Sequence, residues 1–391
     1  MRILTLCNCE PDPNLGSGHV IAGFVGALRE RGHDVDLYPP HRMQVLPWMH
    51  PRAINMRLAW GMKRCARSLA VDEYDVVELW GAPAWRAVDV LRRRPRRRFL
   101  IVHHTNGPEP KYFGPQGAAR FNPRNRAVDR CARQSFARAD AAATVSVDDR
   151  DWLVGEGLLP AARVAAIEPG LPAEFCREDY VPRSSRTIGF CATWLPKKGI
   201  DVLVRGMPTV LRANPAWRLH LVGVGMGFAA AEHFPADVLG QIEVTPFVAD
   251  KHALAAMYAS WEVFVLPSQF ESFGLVLAEA MACGCACVAT RVGFSKGLTD
   301  GVDVLHMDHA AESIVRCVER LIGDAALRRR LGEQAVARTG ELRWDRAAAR
   351  YEAQLAAWRA DVLGMRTAAA VTTIAAADAA TPGLREARQP C

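Results

Sequence analysis

Two glutamates, Glu271 and Glu279, stand eight residues apart in the run Leu266-Pro267-Ser268-Gln269-Phe270-Glu271-Ser272-Phe273-Gly274-Leu275-Val276-Leu277-Ala278-Glu279-Ala280-Met281-Ala282-Cys283-Gly284. The apolar, β-branched stretch ahead of them, Trp261 to Leu266, predicts a buried parallel strand that Pro267-Ser268 closes. Good helix formers follow from Leu275, and Gly284 stands where a helix stops. Glu271 therefore falls in the loop before the helix and Glu279 on its second turn, with the backbone N–H groups of Ser272, Phe273 and Gly274 between them. Unpaired N–H groups at a helix start attract anions, and a carboxylate can accept two hydrogen bonds from a vicinal diol. The order acid, anion site, acid suits a ligand with hydroxyls at both ends and phosphate in the middle, which describes a nucleotide sugar.

Other stretches could contribute. Lys197-Lys198-Gly199 follows a strand at Thr187 to Cys191, so an ammonium and a helix start share one side, a plausible diphosphate cradle with Lys198 as its cation. Gly16-Ser17-Gly18 lies between the first strand and first helix, where Gly16 and Gly18 either let backbone amides approach a ligand or serve a tight turn. His103-His104-Thr105-Asn106-Gly107-Pro108-Glu109 reads as a loop leaving the strand Phe99 to Val102, at the end that faces a ligand crevice in open α/β sheets. Asp34-x-Asp36 has the form of a cation-holding pair but opens a strand, where charges are usually solvated. Cys283, Cys285 and Cys287 lack the further ligands a zinc site needs. No metal is expected.

The run Pro267-Ser268-x-x-Glu271-Ser272-Phe273-Gly274-Leu275-x-x-x-Glu279-Ala280-Met281-Ala282-x-Gly284 closely resembles the signature of the family 4, group 1 glycosyltransferases. The resemblance implies an α/β chain of GT-B type, two doubly wound Rossmann-like domains facing across a cleft. It implies retaining, metal-independent transfer of a sugar from a nucleotide diphosphate sugar to an acceptor hydroxyl, with that donor as co-substrate and no other cofactor. Glu271 would contact the donor sugar, Glu279 the ribose, and the backbone near Phe247 and Val248 the base edge. Ser272, Phe273, Gly274 and Leu275, with Gly16, Gly18, Thr193, Lys197 and Lys198, complete the expected donor site. The family's His-Gly-x-Glu segment aligns with Asn106, Gly107 and Glu109, which leaves Asn106 in the place of the histidine and His104 or His103 as stand-ins. The expected catalytic set is Glu271, Lys198, His104 and Asn106. Where the family has an arginine five residues before Lys198 this chain has Thr193, so Lys197 is the candidate for the second positive charge. A nucleotide-sugar epimerase and a non-catalytic bilobed sugar-binding protein share the layout and are the alternatives.

The elements that position these residues alternate strand and helix through most of the 391 residues, too long for one ordinary core. The expected division is an acceptor-side domain over 1–178, a nucleotide-sugar domain over 179–345, a helix over 346–363 returning to the first, and a disordered tail over 364–391, with a polar linker at Cys176 to Arg186. Lys and Arg total 49 against 42 Asp and Glu, a net +7 that suits an anionic ligand or membrane surface, and there is no nucleic-acid motif. The run Arg92-Arg93-Arg94-Pro95-Arg96-Arg97-Arg98 is too dense in charge to bury and could dock on an anionic leaflet. Residues 39–67, with Trp48, Met49, Trp60 and Met62, read as irregular, either an acceptor or membrane surface or a helical pair packing on its own aromatics. Without a signal-peptide pattern or a spanning apolar run, and with 11 scattered cysteines, a cytoplasmic setting is expected, peripheral to the membrane if the arginine run docks. A glycan, a lipid-linked sugar or a small molecule would serve as acceptor.

Overall fold

The computed structural model describes residues 1–12, 16–43, 54–108, 110–111 and 123–364. Trp48, Met49, Glu109 and the tail from 365 lie outside the described residues. Two six-stranded, wholly parallel sheets organise the chain. The first holds β1 (Arg2–Leu6), β2 (Asp34–Tyr38), β3 (Val76–Trp80), β4 (Leu100–Thr105), β5 (Ala141–Thr144) and β6 (Val164–Ala166) in the order β2-β1-β3-β4-β5-β6. The second holds β7 (Thr187–Cys191), β8 (Arg218–Val222), β9 (Ile242–Thr245), β10 (Val263–Leu266), β11 (Ala286–Thr290) and β12 (Leu305–Met307) in the order β12-β11-β10-β7-β8-β9. Central strands are buried on both faces, as parallel strands covered by helices must be, so β10 and β11 read as continuous apolar or small residues rather than as alternation, while β3 and β4 bury Glu78, His103 and His104 within their runs.

The chain direction across each sheet reverses at one place, between β1 and β3 in the first and between β7 and β10 in the second. Diverging loops open a crevice at such a point, outside the carboxyl ends of the strands. Leu171 N–H donates to the Leu342 carbonyl (2.9 Å), and the Cys283 thiol to the Phe175 carbonyl (3.5 Å), so the lobes are joined at the back of the cleft. The helix Trp344–Leu363 then crosses to the first lobe. Its Tyr351, Leu355 and Trp358 are buried there, Trp358 donates to Ala162 (3.0 Å), and Arg359 pairs with Asp75 (2.6 Å).

Several expectations change. His103 and His104 are strand residues, not loop residues: β4 continues through Thr105, pairing His104 with Trp80 of β3 and His103 with Ala142 of β5. The irregular reading of residues 39–67 gives way, over Ile54–Ser68, to a helix with Leu58, Met62 and Cys65 buried and Trp60 at 40% exposure. The arginine run is half consumed internally: Arg94 pairs with Asp72 (2.7 Å), Arg97 with Asp140, and Arg92 donates to Arg138 O (2.9 Å), leaving Arg93, Arg96 and Arg98 exposed. The polar stretch before β7 is no loose tether, because Arg183 donates to the Trp261 carbonyl (2.7 Å) and to that of Cys283.

Candidate active site

Glu271 sits in the second lobe's crevice. Its carboxylate is 8% exposed, and Oε1 accepts from Lys198 Nζ (2.7 Å) and from Ser268 Oγ (2.7 Å). Both partners hang from the switch point: Ser268 follows β10, and Lys198 ends the short turn Pro196–Lys198 after β7. That turn presses on β10, where Gln269 N–H donates to Lys197 O (2.9 Å). Gly199 makes this possible, since it holds φ 71° and a side chain there would drive into the Pro267 carbonyl. One ammonium thus lies beside the loop preceding the helix Leu275–Ala282, which begins at Gly274 in a left-handed conformation. A cation beside a helix start is an arrangement for an anion, here one carried by a ligand that also reaches Glu271.

Glu279 faces a different space. It lines a cavity of about 110 Å³ together with Leu275, Val248, Phe247, Lys251 and, from the first lobe, Gly16 and His19. The Tyr258 hydroxyl donates to its Oε2 (3.1 Å). Burial pushes the carboxyl up to about 7, opposed by the Tyr258 bond and by Lys251. Glu271 and Glu279 therefore mark two compartments separated by the helix start, and Gly16, Val248, Leu275 and Glu279 fall together as the sequence suggests. Ser272 makes a contact between the lobes: its hydroxyl donates to the Asn106 carbonyl, and Gly107, at φ 117°, could carry no Cβ without striking Ser272 Oγ. Asn106 also donates to Ser17 O (3.3 Å) and so lies at the cleft. Phe273 is buried, and Thr193 is exposed beside the Lys198 turn.

His104 does not belong to this set. It is 3% exposed, stacks on Trp80 at 4.2 Å, and its Nε2 meets the Tyr351 hydroxyl at 2.6 Å. Tyr351 donates to Glu78 Oε1 (2.7 Å) and Thr5 to Glu78 Oε2 (2.7 Å). Burial raises the Glu78 carboxyl, but the neighbouring His104 charge and the bonds from His104, Tyr351 and Thr5 outweigh it and hold the group below its ordinary value. His103, fully buried against Phe136 at 4.0 Å, is driven down to about 3 by desolvation. On opposite faces of a central strand, His104 is covered by the returning helix and His103 by Phe136 of the helix Pro123–Arg138, so neither ring is presented to a ligand. Gly18 is also turned away: it is buried where a Cβ would lie 2.6 Å from Asp12 N and Glu10 O, so its role is close packing. Asp34 and Asp36 pair with Arg2 (3.4 and 3.8 Å), and Tyr74 donates to Asp36.

Sequence reasoning passed over His19, Lys251 and the carboxylates Asp148 and Asp149. Ser146-Val147-Asp148-Asp149 carries a helix-start signal, and Ser146 does accept from Asp149 N–H (3.2 Å) at the helix Val147–Gly155. What the acids reach across space could not be read from it.

Comparison with known proteins finds similarity over both lobes. Residues 16–175 match the family description "Glycosyltransferase Family 4" and residues 185–324 match "Glycosyl transferases group 1". A D-inositol 3-phosphate glycosyltransferase of Stackebrandtia nassauensis is 31% identical over 295 residues, 69% of this chain and 62% of that protein, so the chain spans less than two thirds of that relative. Among solved structures, sucrose-phosphate synthase from Thermosynechococcus elongatus superposes with TM-score 0.72 at 18% identity, over 90% of this chain and 97% of that one. HepE of Anabaena, solved with UDP, gives 0.64 at 17% identity over 91% and 99%. The two-lobed α/β architecture is that of the GT-B fold.

Proposed function

Because the chain belongs to the family 4, group 1 glycosyltransferases, we propose that it moves a sugar from a nucleoside diphosphate sugar to an acceptor hydroxyl, with retention at the anomeric carbon and without a metal ion. The observation that carries this reading is the split between the two glutamates. Glu279 opens on a cavity lined by both lobes, while Glu271 stands ahead of the helix start with Lys198 at 2.7 Å. A ribose diol bonded to Glu279 and a sugar bonded to Glu271 would leave the diphosphate against Lys198 and the N–H groups ahead of Leu275. Charge that develops on the leaving diphosphate is then met by a cation and oriented amides already in place, so a metal is not required. The UDP held by the Anabaena neighbour makes a uridine nucleotide the first donor to try.

Glu271 supplies no proton in this scheme. It orients the sugar, and its pairing with Lys198 fixes both groups before the donor arrives. Asn106, with its main chain locked to Ser272, brings the first lobe to the reacting face. Apposition of the lobes excludes water, which would otherwise hydrolyse the donor. The acceptor is a glycan, lipid-linked or small-molecule hydroxyl entering from the first lobe.

A cytoplasmic setting is supported by the free state of every described cysteine. Among the described residues no helix is long and apolar enough to cross a membrane. Peripheral contact with an anionic leaflet is supported by Arg93, Arg96 and Arg98 and by the adjoining helix Ile54–Ser68, which exposes Ile54, Met56 and Trp60 and contains no acid. Arg94 ties the two, donating to Ala66 O at 3.0 Å.

The test is a thermal-shift screen of UDP-, GDP- and dTDP-sugars, followed by product analysis with simple glycosides as acceptors. One donor should raise the melting temperature and yield an α-configured product from an α-configured donor with EDTA present. Activity that vanishes with EDTA, or a product of inverted configuration, contradicts the mechanism.

A further inference from the structure

Asp148 belongs to the first lobe, yet most of what it binds lies in the second. Its carboxylate, 6% exposed, accepts from Gly293 N–H (3.0 Å) and Lys296 Nζ (2.8 Å) across the cleft and from Lys111 Nζ (2.6 Å) on its own side. Burial acts to raise this carboxyl, but the bonds from Lys111 and Lys296 outweigh it and hold the group below its ordinary range, so it is an anion at neutral pH. Asp149 beside it shares Lys111 (3.0 Å) and does not reach the second lobe.

The turn that Asp148 holds, Gly293–Gly297, is the backing of the Glu271 loop. Phe294 N–H donates to the Phe273 carbonyl (2.7 Å), and the Phe273 and Phe294 rings lie 4.9 Å apart. Gly293, at φ 57°, comes so close that a Cβ would sit 2.6 Å from Phe273 O and 3.0 Å from Glu271 Cβ. Turn and loop therefore move as one piece. On its other side Glu271 is fixed, among the described residues, through Oε1 by Lys198 and Ser268.

We propose that Asp148 is a positioning residue for Glu271: by gripping Gly293 and Lys296 from the opposite lobe, it seats the backing turn and sets the Glu271 carboxylate only when the lobes are together. The proposal rests on reading Glu271 as the group that orients the donor sugar. Its consequence is that the sugar-orienting carboxylate takes its final place on lobe apposition, so an open molecule holds a donor without the geometry to activate it. A displacement near 1 Å at a positioning group can cost about 100-fold in rate.

Two measurements on the full chain test it. Hydrogen–deuterium exchange without ligand compares the wild type with Asp148→Ala and Asp148→Asn. Asp148→Ala should speed exchange over 270–276 and 292–298 and leave β7, β8 and the helix Trp344–Leu363 unchanged. Asp148→Asn, which keeps an oxygen for Gly293 N–H but loses the charge for Lys296, should fall between. Unchanged exchange over 270–276, or faster exchange across the whole chain with a fall in melting temperature, overturns the proposal. Turnover with UDP-, GDP- and dTDP-glucose then separates it from the transfer reading. With an active donor, Asp148→Ala should lower kcat by about tenfold or more while donor KM stays within about threefold. A raised KM at unchanged kcat overturns it. A wild type inactive on every donor sinks the transfer reading alone, and the exchange result still decides the coupling.

Discussion

Each sheet has one switch point, between β1 and β3 in the first and between β7 and β10 in the second, but the polar residues there are used in opposite ways. Beyond β7 and β10, Lys198, Ser268 and Glu271 converge beside the cleft, with Glu271 bonded, among the described residues, through one oxygen. Beneath the crevice of β1 and β3, Thr5, Glu78 and His104 are bonded among themselves and to Tyr351, and the helix Trp344–Leu363 closes over them. A carboxylate near the carboxyl end of a parallel strand is thus not by itself a ligand group. What decides is whether a later element covers it. In the second lobe no element among the described residues does, and on the proposed reading the side chains are left to meet a ligand. In the first lobe the returning helix does, and the same kinds of side chain brace.

Substitutions can break this contrast. Glu271→Gln should lower transfer by about 100- to 1,000-fold, because the neutral amide loses Lys198 and no longer accepts strongly from the sugar. Steady-state kinetics check it, with nucleoside diphosphate affinity expected within about threefold of wild type. Lys198→Ala should cost about 100-fold in kcat through the uncompensated diphosphate charge, measured the same way. In the brace the sign of the evidence reverses. His104→Ala should destabilise the fold by about 3 kcal/mol, since it leaves Glu78 and Tyr351 short of a buried partner, while kcat of the folded fraction stays within about threefold. Urea unfolding and kinetics on the same sample decide; a kcat loss without a stability loss would restore His104 to the site.

The smallest effect sharpens the difference within the second lobe. Glu279, pushed up to about 7, is uncharged below that pH in the free protein. On the proposed reading a ribose diol donates to the charged form, so binding should remove the proton, and affinity should rise with pH and level off above about 7. At pH 6 the dissociation constant should be about tenfold weaker than on the plateau. Calorimetry with UDP from pH 5.5 to 8.5 reads this, and Glu279→Gln should flatten the profile.

The asymmetry also explains what the amino-acid sequence conveyed. The strand, loop and helix around Glu271 and Glu279 follow from local pattern, since periodicity, Pro267 and Gly284 are contiguous signals. The fold class followed from the alternation of elements. His104 was misplaced because a histidine doublet breaks the apolar pattern of a central strand, and the partners that tolerate it, Glu78 and Tyr351, are distant in sequence. Residues 54–68 looked irregular because their exposed face carries Trp and Met where solvated side chains are expected. His19 and Asp148 reach across the cleft, and Lys251 acts on Glu279 from another helix of its own lobe, so no short window contains both partners.

The claim that two carboxylates hold opposite ends of one activated sugar is tested most directly by calorimetric binding of UDP and of the intact sugar nucleotide to Glu279→Gln and Glu271→Gln. Glu279→Gln should weaken both ligands alike, whereas Glu271→Gln should leave UDP unchanged and weaken only the ligand that carries the sugar. Equal loss of both ligands in both variants, or no loss in either, would contradict it.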